Sequence, residues 1–158
     1  MEARCQCGQI RFVTPLAAPL ALYICHCTEC RHQSSSTYGM TAIFPYFDIR
    51  QYAPTADTVG MYSRANSTGR TDGYFCTKCG SRLVHVSMSA QDGQSGDGRG
   101  DAFKPAAMLS VKAGCLEGLS KEMMRTAIHI WTKSAVVYIP EGVEQYEEEP
   151  PGGSFAEE

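Results

Sequence analysis

The sequence contains no long apolar run and no block of basic residues. None of its hydrophobic segments approaches the roughly 18 residues that cross a bilayer as a helix, so we expect no transmembrane segment. Its net charge of −3 and its pI of about 5.8 leave it without the broad positive surface typical of nucleic-acid binding. We therefore predict neither a membrane nor a nucleic-acid partner.

The N-terminus, Met1-Glu2-Ala3-Arg4, also lacks the apolar segment of a secretory signal. We expect a cytoplasmic protein, because the cytosol keeps thiols reduced and available as ligands. At 158 residues, of which 43% are hydrophobic, the chain has the size of one domain. Residues 1–143 are predicted to form this domain, and the acidic segment 144–158 is predicted to be a flexible tail.

Cysteine, by contrast, is abundant, and seven of the eight cysteines lie in three tight clusters. These are Cys5-Gln6-Cys7, Cys25-His26-Cys27-Thr28-Glu29-Cys30 and Cys76-Thr77-Lys78-Cys79. Closely spaced thiolates converge on one metal ion more readily than they form structural disulfides. A closed zinc site takes four protein ligands, whereas a catalytic site takes three and leaves one position open. Seven clustered cysteines therefore predict one zinc of each kind.

Two of the clusters are followed by a glycine, Gly8 in one and Gly80 in the other. A glycine at this position lets the backbone turn so that both sulfurs of a cluster face one ion. We predict that the structural zinc is held by these two clusters, through Cys5, Cys7, Cys76 and Cys79. A redox Cys-x-x-Cys pair and buried unligated thiols are the alternatives.

Cys25, Cys27 and Cys30 are predicted to hold the second zinc, with an open position for water or a substrate thiolate. The alternative is a second structural site that takes its fourth ligand from His26, His32 or Cys115. Cys115 stands alone beside apolar residues, which is more typical of a small buried hydrophobe.

Three residues beside the second cluster are candidate catalytic groups: His26, Glu29 and Arg31. His26 lies between two ligands and would either stiffen the cluster through a hydrogen bond or transfer protons. Glu29 is a further candidate for proton transfer. Arg31 would offset the negative charge of a three-thiolate zinc or bind a substrate carboxylate. His85 and His129 fall in strand-like runs and are interpreted as core or surface groups.

Short apolar runs separated by Gly and Pro predict a mainly β fold of short antiparallel strands. Strand-like runs occupy residues 10–14, 20–24, 38–47, 59–62, 73–79, 83–88, 108–111 and 136–139. Residues 28–35 are predicted to form one helical turn, and 120–130 a short helix or strand. Residues 63–73 are predicted to be rich in turns, and the glycine-rich residues 91–100 to be a flexible loop.

The cysteine motifs resemble those of the glutathione-dependent formaldehyde-activating enzyme family, which also includes centromere protein V-like proteins. They read Cys5-x-Cys7-Gly8-x-Ile10-x-Phe12, Cys25-His26-Cys27-x-x-Cys30-Arg31 and Phe75-Cys76-x-x-Cys79-Gly80-Ser81. The segments His129-Ile130-Trp131-Thr132-Lys133-Ser134 and Tyr146-Glu147-Glu148-Glu149-Pro150-Pro151 are also similar to the C-terminal part of that family. The resemblance spans nearly the whole chain.

This resemblance implies a small single-domain zinc fold of the β-tent type, with the same division of the seven cysteines between a structural and a catalytic zinc. It also implies carbon–sulfur lyase-type activity, since the founding reaction joins glutathione and formaldehyde reversibly as S-(hydroxymethyl)glutathione. We therefore expect a small-molecule thiol or thiol adduct as the partner, with glutathione as the candidate co-substrate. The alternatives are another transformation on the same zinc scaffold, and a non-catalytic zinc-stabilised binding module. The oligomeric state, including a homodimer, stays open.

Two segments depart from the family pattern. After Cys30-Arg31 the chain reads His32-Gln33-Ser34-Ser35, where many members carry Thr-Gly. The glycine-rich segment Gln91 to Gly100 is also longer than the pattern suggests. We expect both segments to border the pocket and to influence which substrate is used.

Overall fold

The computed structural model of the protein describes residues 1–66, 69–90 and 103–151. The chain is mainly β. The strands are β1 (Glu2–Arg4), β2 (Arg11–Val13), β3 (Ala21–Cys25), β4 (Gly39–Pro45), β5 (Val59–Asn66), β6 (Gly69–Cys76), β7 (Arg82–Ala90), β8 (Phe103–Pro105), β9 (Met108–Lys112) and β10 (Ile128–Ile130). The α-helices are α1 (Thr28–Ser34) and α2 (Lys121–Arg125), and 3₁₀ turns occupy Ile49–Tyr52, Ala113–Cys115 and Thr132–Ser134. Within the described ranges, no helix has the length and apolar character needed to cross a membrane.

Most of the strands form one large sheet in the order β10-β3-β4-β9-β7-β6-β5, and β8 pairs with β7 beside it. Neighbouring strands are antiparallel, as expected, except that β10 runs parallel to β3. β1 and β2 form a separate two-stranded antiparallel sheet.

The two faces of the large sheet differ in chemistry. On one face a row of apolar side chains crosses β3, β4, β9 and β7: Leu22, Ala42, Val111 and Val84. Ala3 and Phe12 of the small sheet belong to the same hydrophobic core, so the small sheet helps to cover this face. Because side chains alternate along a strand, the residues between these apolar positions point to the opposite face, where Cys25 lies.

Two segments differ from the expectation based on sequence. Residues 63–73 were expected to be turns, but they belong largely to the β5–β6 hairpin. β5 is an edge strand with mostly exposed side chains, so it lacks the apolar alternation by which a strand is recognised. The predicted strand at 136–139 is wrong: this segment is irregular, and Val136 and Tyr138 are 58% and 78% exposed.

The remaining predicted elements are present with shifted ends. The predicted helical turn corresponds to α1, and residues 120–130 contain both a helix, α2, and a strand, β10. The other predicted strands correspond to β2, β3, β4, β5, β6, β7 and β9. The predicted loop at 91–100 lies outside the described residues.

The start of the acidic segment contacts β10 and the turn after it, where we expected a flexible tail to begin. The backbone N–H of Tyr146 donates to the carbonyl oxygen of His129 at 2.8 Å, and the N–H of His129 donates to Glu144 at 2.9 Å. The N–H of Trp131 donates to the carbonyl oxygen of Glu148 at 3.1 Å. Residues 144–148 therefore run alongside the large sheet, whereas residues 152–158 lie outside the described part.

Candidate metal centres and active-site cavities

The two glycine-containing cysteine clusters both turn at a glycine in the left-handed conformation. Gly8 and Gly80 both adopt φ of 73°, a left-handed conformation that side chains disfavour. The N–H of Gly8 donates to the carbonyl oxygen of Cys5 at 3.0 Å, and that of Gly80 to Cys76 at 2.8 Å. The expected turning role of the two glycines is confirmed.

These turns bring four sulfurs together, from Cys5, Cys7, Cys76 and Cys79, all within 4.8 Å of one another. The Cys5 and Cys7 sulfurs are 3.5 Å apart, and those of Cys7 and Cys76 are 3.8 Å apart. A tetrahedral zinc with Zn–S bonds of about 2.3 Å separates its sulfurs by about 3.8 Å. The donor set therefore fits a closed zinc site that joins the small sheet to the end of β6.

The second cluster lies where β3 meets α1. Cys25 ends β3, Cys27 caps the N-terminus of α1, and Cys30 lies in the first turn of the helix. The N–H of Cys30 donates to the Cys27 sulfur at 3.3 Å. The three sulfurs lie within 4.8 Å of one another, and no further Cys, His, Asp or Glu among residues 1–66, 69–90 and 103–151 joins the group. The seven cysteines thus group as four and three, the grouping expected from their spacing.

The three clustered thiols do not ionise alike. Hydrogen bonds from Cys25 and Cys30 lower the pKa of Cys27 to about 2. The hydrogen bond between Cys25 and Cys27 has the opposite effect on Cys25, whose pKa it raises. The protein alone therefore favours negative charge on one sulfur, whereas a divalent cation would allow all three to be thiolates. This donor chemistry fits a zinc with three protein ligands.

A buried cation lies near this cluster. Lys112 ends β9 beneath α1, and its ammonium donates to the side-chain oxygen of Gln33. Burial lowers the pKa of Lys112 to about 8, and the Cys30 thiol opposes this shift. Lys112 therefore supplies positive charge close enough to interact with Cys30 and Cys25.

His26 does not lie with the sulfurs that flank it in sequence. It continues the alternation of β3, so its ring lies on the face of Ile24, opposite Cys25. It is 1% exposed, and its Nε2 is 3.0 Å from Nδ1 of His129. Burial lowers the pKa of both imidazoles. His26 was predicted to stiffen the cluster through a hydrogen bond, to transfer protons there or to be a fourth ligand. These roles are corrected, because its side chain pairs with His129, does not join the sulfur group and does not line the cavity that the three cysteines border.

The other two predicted candidates differ in position: Glu29 lies beside the clustered sulfurs and lines both cavities described below, whereas Arg31 does not. Glu29 is exposed on α1 near the sulfurs, with one carboxylate oxygen 3.8 Å from Nη1 of Arg64. Arg31 lies on another side of the helix, where its Nη2 donates to Thr28 at 3.4 Å, and it lines neither cavity described below. The Cys115 thiol donates to the carbonyl oxygen of Arg82 at 3.2 Å and lies outside both sulfur groups.

Two adjoining cavities cover the sheet face that carries Cys25. We call the first, of about 320 Å³, the arginine cavity. It is lined by Glu29, Cys30, His32, Gln33, Tyr62, Arg64, Thr71, Gly73, Arg82 and His85. The second, the tryptophan cavity of about 510 Å³, is lined by all three clustered cysteines and by Trp131. The two cavities share five lining residues: Glu29, Cys30, Arg64, Thr71 and His85. The expectation that residues after Cys30-Arg31 border the pocket is confirmed for His32 and Gln33.

The floor of these cavities follows from strand register. A row of residues crosses β5, β6, β7, β9 and β4: Tyr62, Gly73, His85, Ser110 and Ile43. His85 was interpreted as a core or surface group, yet its Nδ1 is buried in this row without a hydrogen-bond partner among the described residues. Its position could be read from the sequence, because His85 alternates with the core residues Val84 and Val86.

The wall of the tryptophan cavity includes the acidic C-terminal segment. The indole N–H of Trp131 donates to the carboxylate of Glu149 at 2.8 Å, and both residues line the cavity. Trp131 has φ of 56°, which is rare for a residue with a side chain and occurs preferentially at functional sites. Residues after position 143 therefore contribute to the site.

A four-cysteine centre, together with a three-cysteine cluster on the cavity-bearing face of a mostly antiparallel sheet, defines a small β domain with two groups of cysteines that could hold zinc. The model of the glutathione-dependent formaldehyde-activating enzyme family matches residues 1–134, and the chain belongs to this family.

The chain also resembles a solved structure, the crystal structure of a Rhodobacter sphaeroides protein from a structural-genomics programme. The TM-score is 0.51 and the sequence identity 18%, over 82% of this chain and 99% of the other. At this identity the likeness supports the shared fold alone. The sequence has no significant match among curated proteins.

Proposed function

We propose that the protein is a zinc-dependent carbon–sulfur lyase-type enzyme that acts on a thiol adduct, such as S-(hydroxymethyl)glutathione or another glutathione S-conjugate. One observation carries this proposal: three convergent sulfurs line a cavity that a small molecule can enter, whereas a closed zinc site takes four protein ligands. Membership of the family supports the same reaction class.

Cys25, Cys27 and Cys30 would hold the zinc, which when bound would keep a substrate thiol deprotonated at neutral pH. Lys112 would offset the negative charge that three thiolates bring to this part of the protein. A reducing compartment such as the cytoplasm would keep the cysteines available as ligands.

His85 is the group that we assign to proton transfer. Burial, with Lys112, Arg82 and Arg64 nearby, lowers the pKa of His85 well below its usual value, so the imidazole is neutral at physiological pH. A neutral imidazole can accept a proton at one nitrogen. In the direction of addition, the substrate sulfur loses its proton to His85 and forms a bond to a carbonyl carbon. The carbonyl π electrons move to oxygen, which takes the proton back from His85. In the reverse direction His85 removes the hydroxyl proton and the carbonyl re-forms. The sulfur leaves with the electron pair of the carbon–sulfur bond and takes the proton from His85.

The experiment that tests this function compares two cysteine variants, Cys27→Ala and Cys115→Ala. Cys115 is outside both sulfur groups and serves as the matched control. We expect Cys27→Ala to stay folded, to retain about one zinc per chain in place of about two, and to lose turnover. Zinc would be measured by elemental analysis. Turnover would be measured by NMR exchange between glutathione with formaldehyde and S-(hydroxymethyl)glutathione, and with other aldehydes as alternative substrates.

The control variant should match the wild type in zinc content and turnover. Wild-type turnover in Cys27→Ala would contradict the proposed chemistry. Unfolding of Cys27→Ala would mean that the cluster is structural and would contradict the division of roles between the two centres.

A further inference from the structure

The arginine cavity contains a guanidinium group with no carboxylate beside it. Arg82 is half-buried, its Nε is fully enclosed without a hydrogen-bond partner, and no ion pair to it occurs among the described residues. Burial lowers the pKa of Arg82, as does the positive charge of Arg64, while Tyr62 opposes the shift. A half-buried charge without an acidic partner has lost part of its hydration and gained no ion pair in return, and a bound anion would compensate it.

The residue beneath this guanidinium is a glycine, Gly73. A Cβ atom added to Gly73 would lie 1.9 Å from Nη2 of Arg82, so the guanidinium occupies the space that a side chain would take. Gly73 pairs with Tyr62 on one side and with His85 on the other. The head of Arg82 therefore lies over the cavity floor, next to the imidazole assigned to proton transfer.

A second arginine faces the same space. Arg64 is 43% exposed at its side chain, and its nearest carboxylate is that of Glu29 at 3.8 Å. Glu29 is the one acidic residue among the described lining of the arginine cavity, against the two arginines. This side of the cavity is therefore positively charged even before Lys112 is considered.

We propose that Arg82 and Arg64 form a carboxylate-binding subsite that selects an anionic thiol substrate and places its sulfur at the three-cysteine cluster. This inference rests on the proposed function. It follows from the shared lining, because Cys30, Arg64 and Arg82 border one cavity of about 320 Å³, which a single small molecule can occupy. A guanidinium binds a carboxylate through two parallel hydrogen bonds, so Arg82 would both hold and orient the substrate.

The test compares ligands that differ in charge but share a thiol. The first pair is glutathione and its diethyl ester, and the second is 3-mercaptopropionate and 3-mercaptopropanamide. Dissociation constants would be measured by calorimetry for the zinc-loaded wild type and for Arg82→Met, Arg82→Lys, Arg64→Met and Gly73→Ala. Arg125→Met is the control, since Arg125 pairs with Glu122 on an exposed helix.

We expect the wild type to prefer the charged member of at least one pair. Arg82→Met should bind the charged ligand of that pair about tenfold to a hundredfold more weakly than the wild type does, as expected when a charged hydrogen bond is lost. It should bind the neutral ligand of the pair as tightly as the wild type does. Arg82→Lys should retain part of the preference. Gly73→Ala should reproduce the loss, because the added methyl group displaces the guanidinium. The pair that shows the preference tells whether the substrate is a thiol peptide or a small mercapto acid.

Two results would overturn the subsite. One is a wild type without preference for the charged ligands. The other is a preference that survives in both Arg82→Met and Arg64→Met. A sulfur-free analogue of glutathione, ophthalmate, separates this inference from the proposed function. If ophthalmate binds in an Arg82-dependent manner while no thiol adduct is turned over, the subsite stands and the lyase proposal fails.

Discussion

His85 lies within reach of the charges of Lys112, Arg82 and Arg64, on the sheet face that carries the clustered cysteines. Its environment is unlike that of His26, which is paired with His129 across the opposite face. Burial lowers the pKa of both imidazoles, and each ring has a buried Nδ1 without a hydrogen-bond partner among the described residues. The two histidines differ in position: His85 lines both cavities together with Cys30, whereas His26 lies on the opposite face of the sheet and lines neither.

The pH dependence of turnover should report the state of His85. Burial first, and then Lys112, lower the pKa of His85, so the neutral imidazole persists below pH 6.5. In the wild type we therefore expect kcat/KM to decline on the acid side only at a pH below 6.5, where His85 becomes protonated. In Lys112→Met a repelling cation is gone, so the pKa of His85 rises and the acid limb moves to higher pH. Lys121→Met, at an exposed position on α2, is the control and should leave the profile unchanged.

His85→Gln complements this measurement. It should remove the acid limb and lower kcat by about a hundredfold or more, which is typical of a lost general acid–base group. An acid limb that remains in His85→Gln, or that does not move in Lys112→Met, would exclude His85 as the titrating group.

The residues of the site differ in whether their positions could be predicted from the amino-acid sequence. The cysteine clusters could be predicted because their members are only two or three residues apart, and this spacing by itself brings the sulfurs together. His26 was misplaced because adjacency in sequence does not mean adjacency in space when strand alternation sends neighbours to opposite faces. Arg64 and Arg82 meet through the pairing of β5, β6 and β7, which sequence reasoning did not provide.

At the scale of elements, the approach of α1 to β4 sets the geometry of the second cluster. Gly39, the first residue of β4, pairs with Cys25 and lies against Cys30. A Cβ atom added to Gly39 would lie 2.9 Å from the Cβ of Cys30 and 3.2 Å from its carbonyl oxygen. Since the carbonyl belongs to the helix backbone, the helix itself would have to shift. Gly39 is thus required for three sulfurs from two elements to converge.

Gly39→Ala should therefore loosen the second metal centre without removing a ligand. We expect zinc from this centre to transfer to a chelator at least several times faster, while zinc from the four-cysteine centre transfers as slowly as in the wild type. The two phases would be followed by the absorbance of a coloured chelator. Gly114→Ala is the control, because its added Cβ would meet no atom within 4 Å. Equal release from Gly39→Ala and the wild type would show that α1 does not depend on this close contact.

The two segments whose secondary structure differs from the prediction, β5 and residues 136–139, both lie at the edge of the large sheet or beyond it. β5 pairs on one side and exposes most of its side chains, so polar residues such as Ser63 and Arg64 obscured a strand eight residues long. The apolar run at 136–139 suggested a strand that does not form, because Val136 and Tyr138 stay exposed beyond the sheet. Apolar alternation reports burial, and it predicts strands reliably where one face of the strand is covered.

At the scale of the whole molecule, the four-cysteine centre connects parts of the chain that are distant in sequence. Cys5 and Cys7 follow β1, whereas Cys76 and Cys79 lie at the end of β6 and in the turn after it. Gln6 adds a hydrogen bond from its N–H to the Ser81 hydroxyl at 3.0 Å. The three-cysteine cluster, by contrast, involves one short segment of the chain. The two centres should therefore contribute very differently to stability.

This difference predicts opposite outcomes for Cys76→Ser and Cys30→Ala. A structural zinc in such a site contributes about 10–16 kcal/mol of apparent binding free energy, as much as the about 5–15 kcal/mol by which a whole domain is stable. Cys76→Ser should therefore be largely unfolded at 25 °C in the absence of excess zinc. Cys30→Ala should remain folded, with a melting temperature close to that of the wild type. Thermal unfolding followed by circular dichroism, with and without added chelator, measures both effects. A folded, cooperative Cys76→Ser, or a Cys30→Ala as unstable as Cys76→Ser, would mean that the two sulfur groups do not divide structural and chemical roles between them.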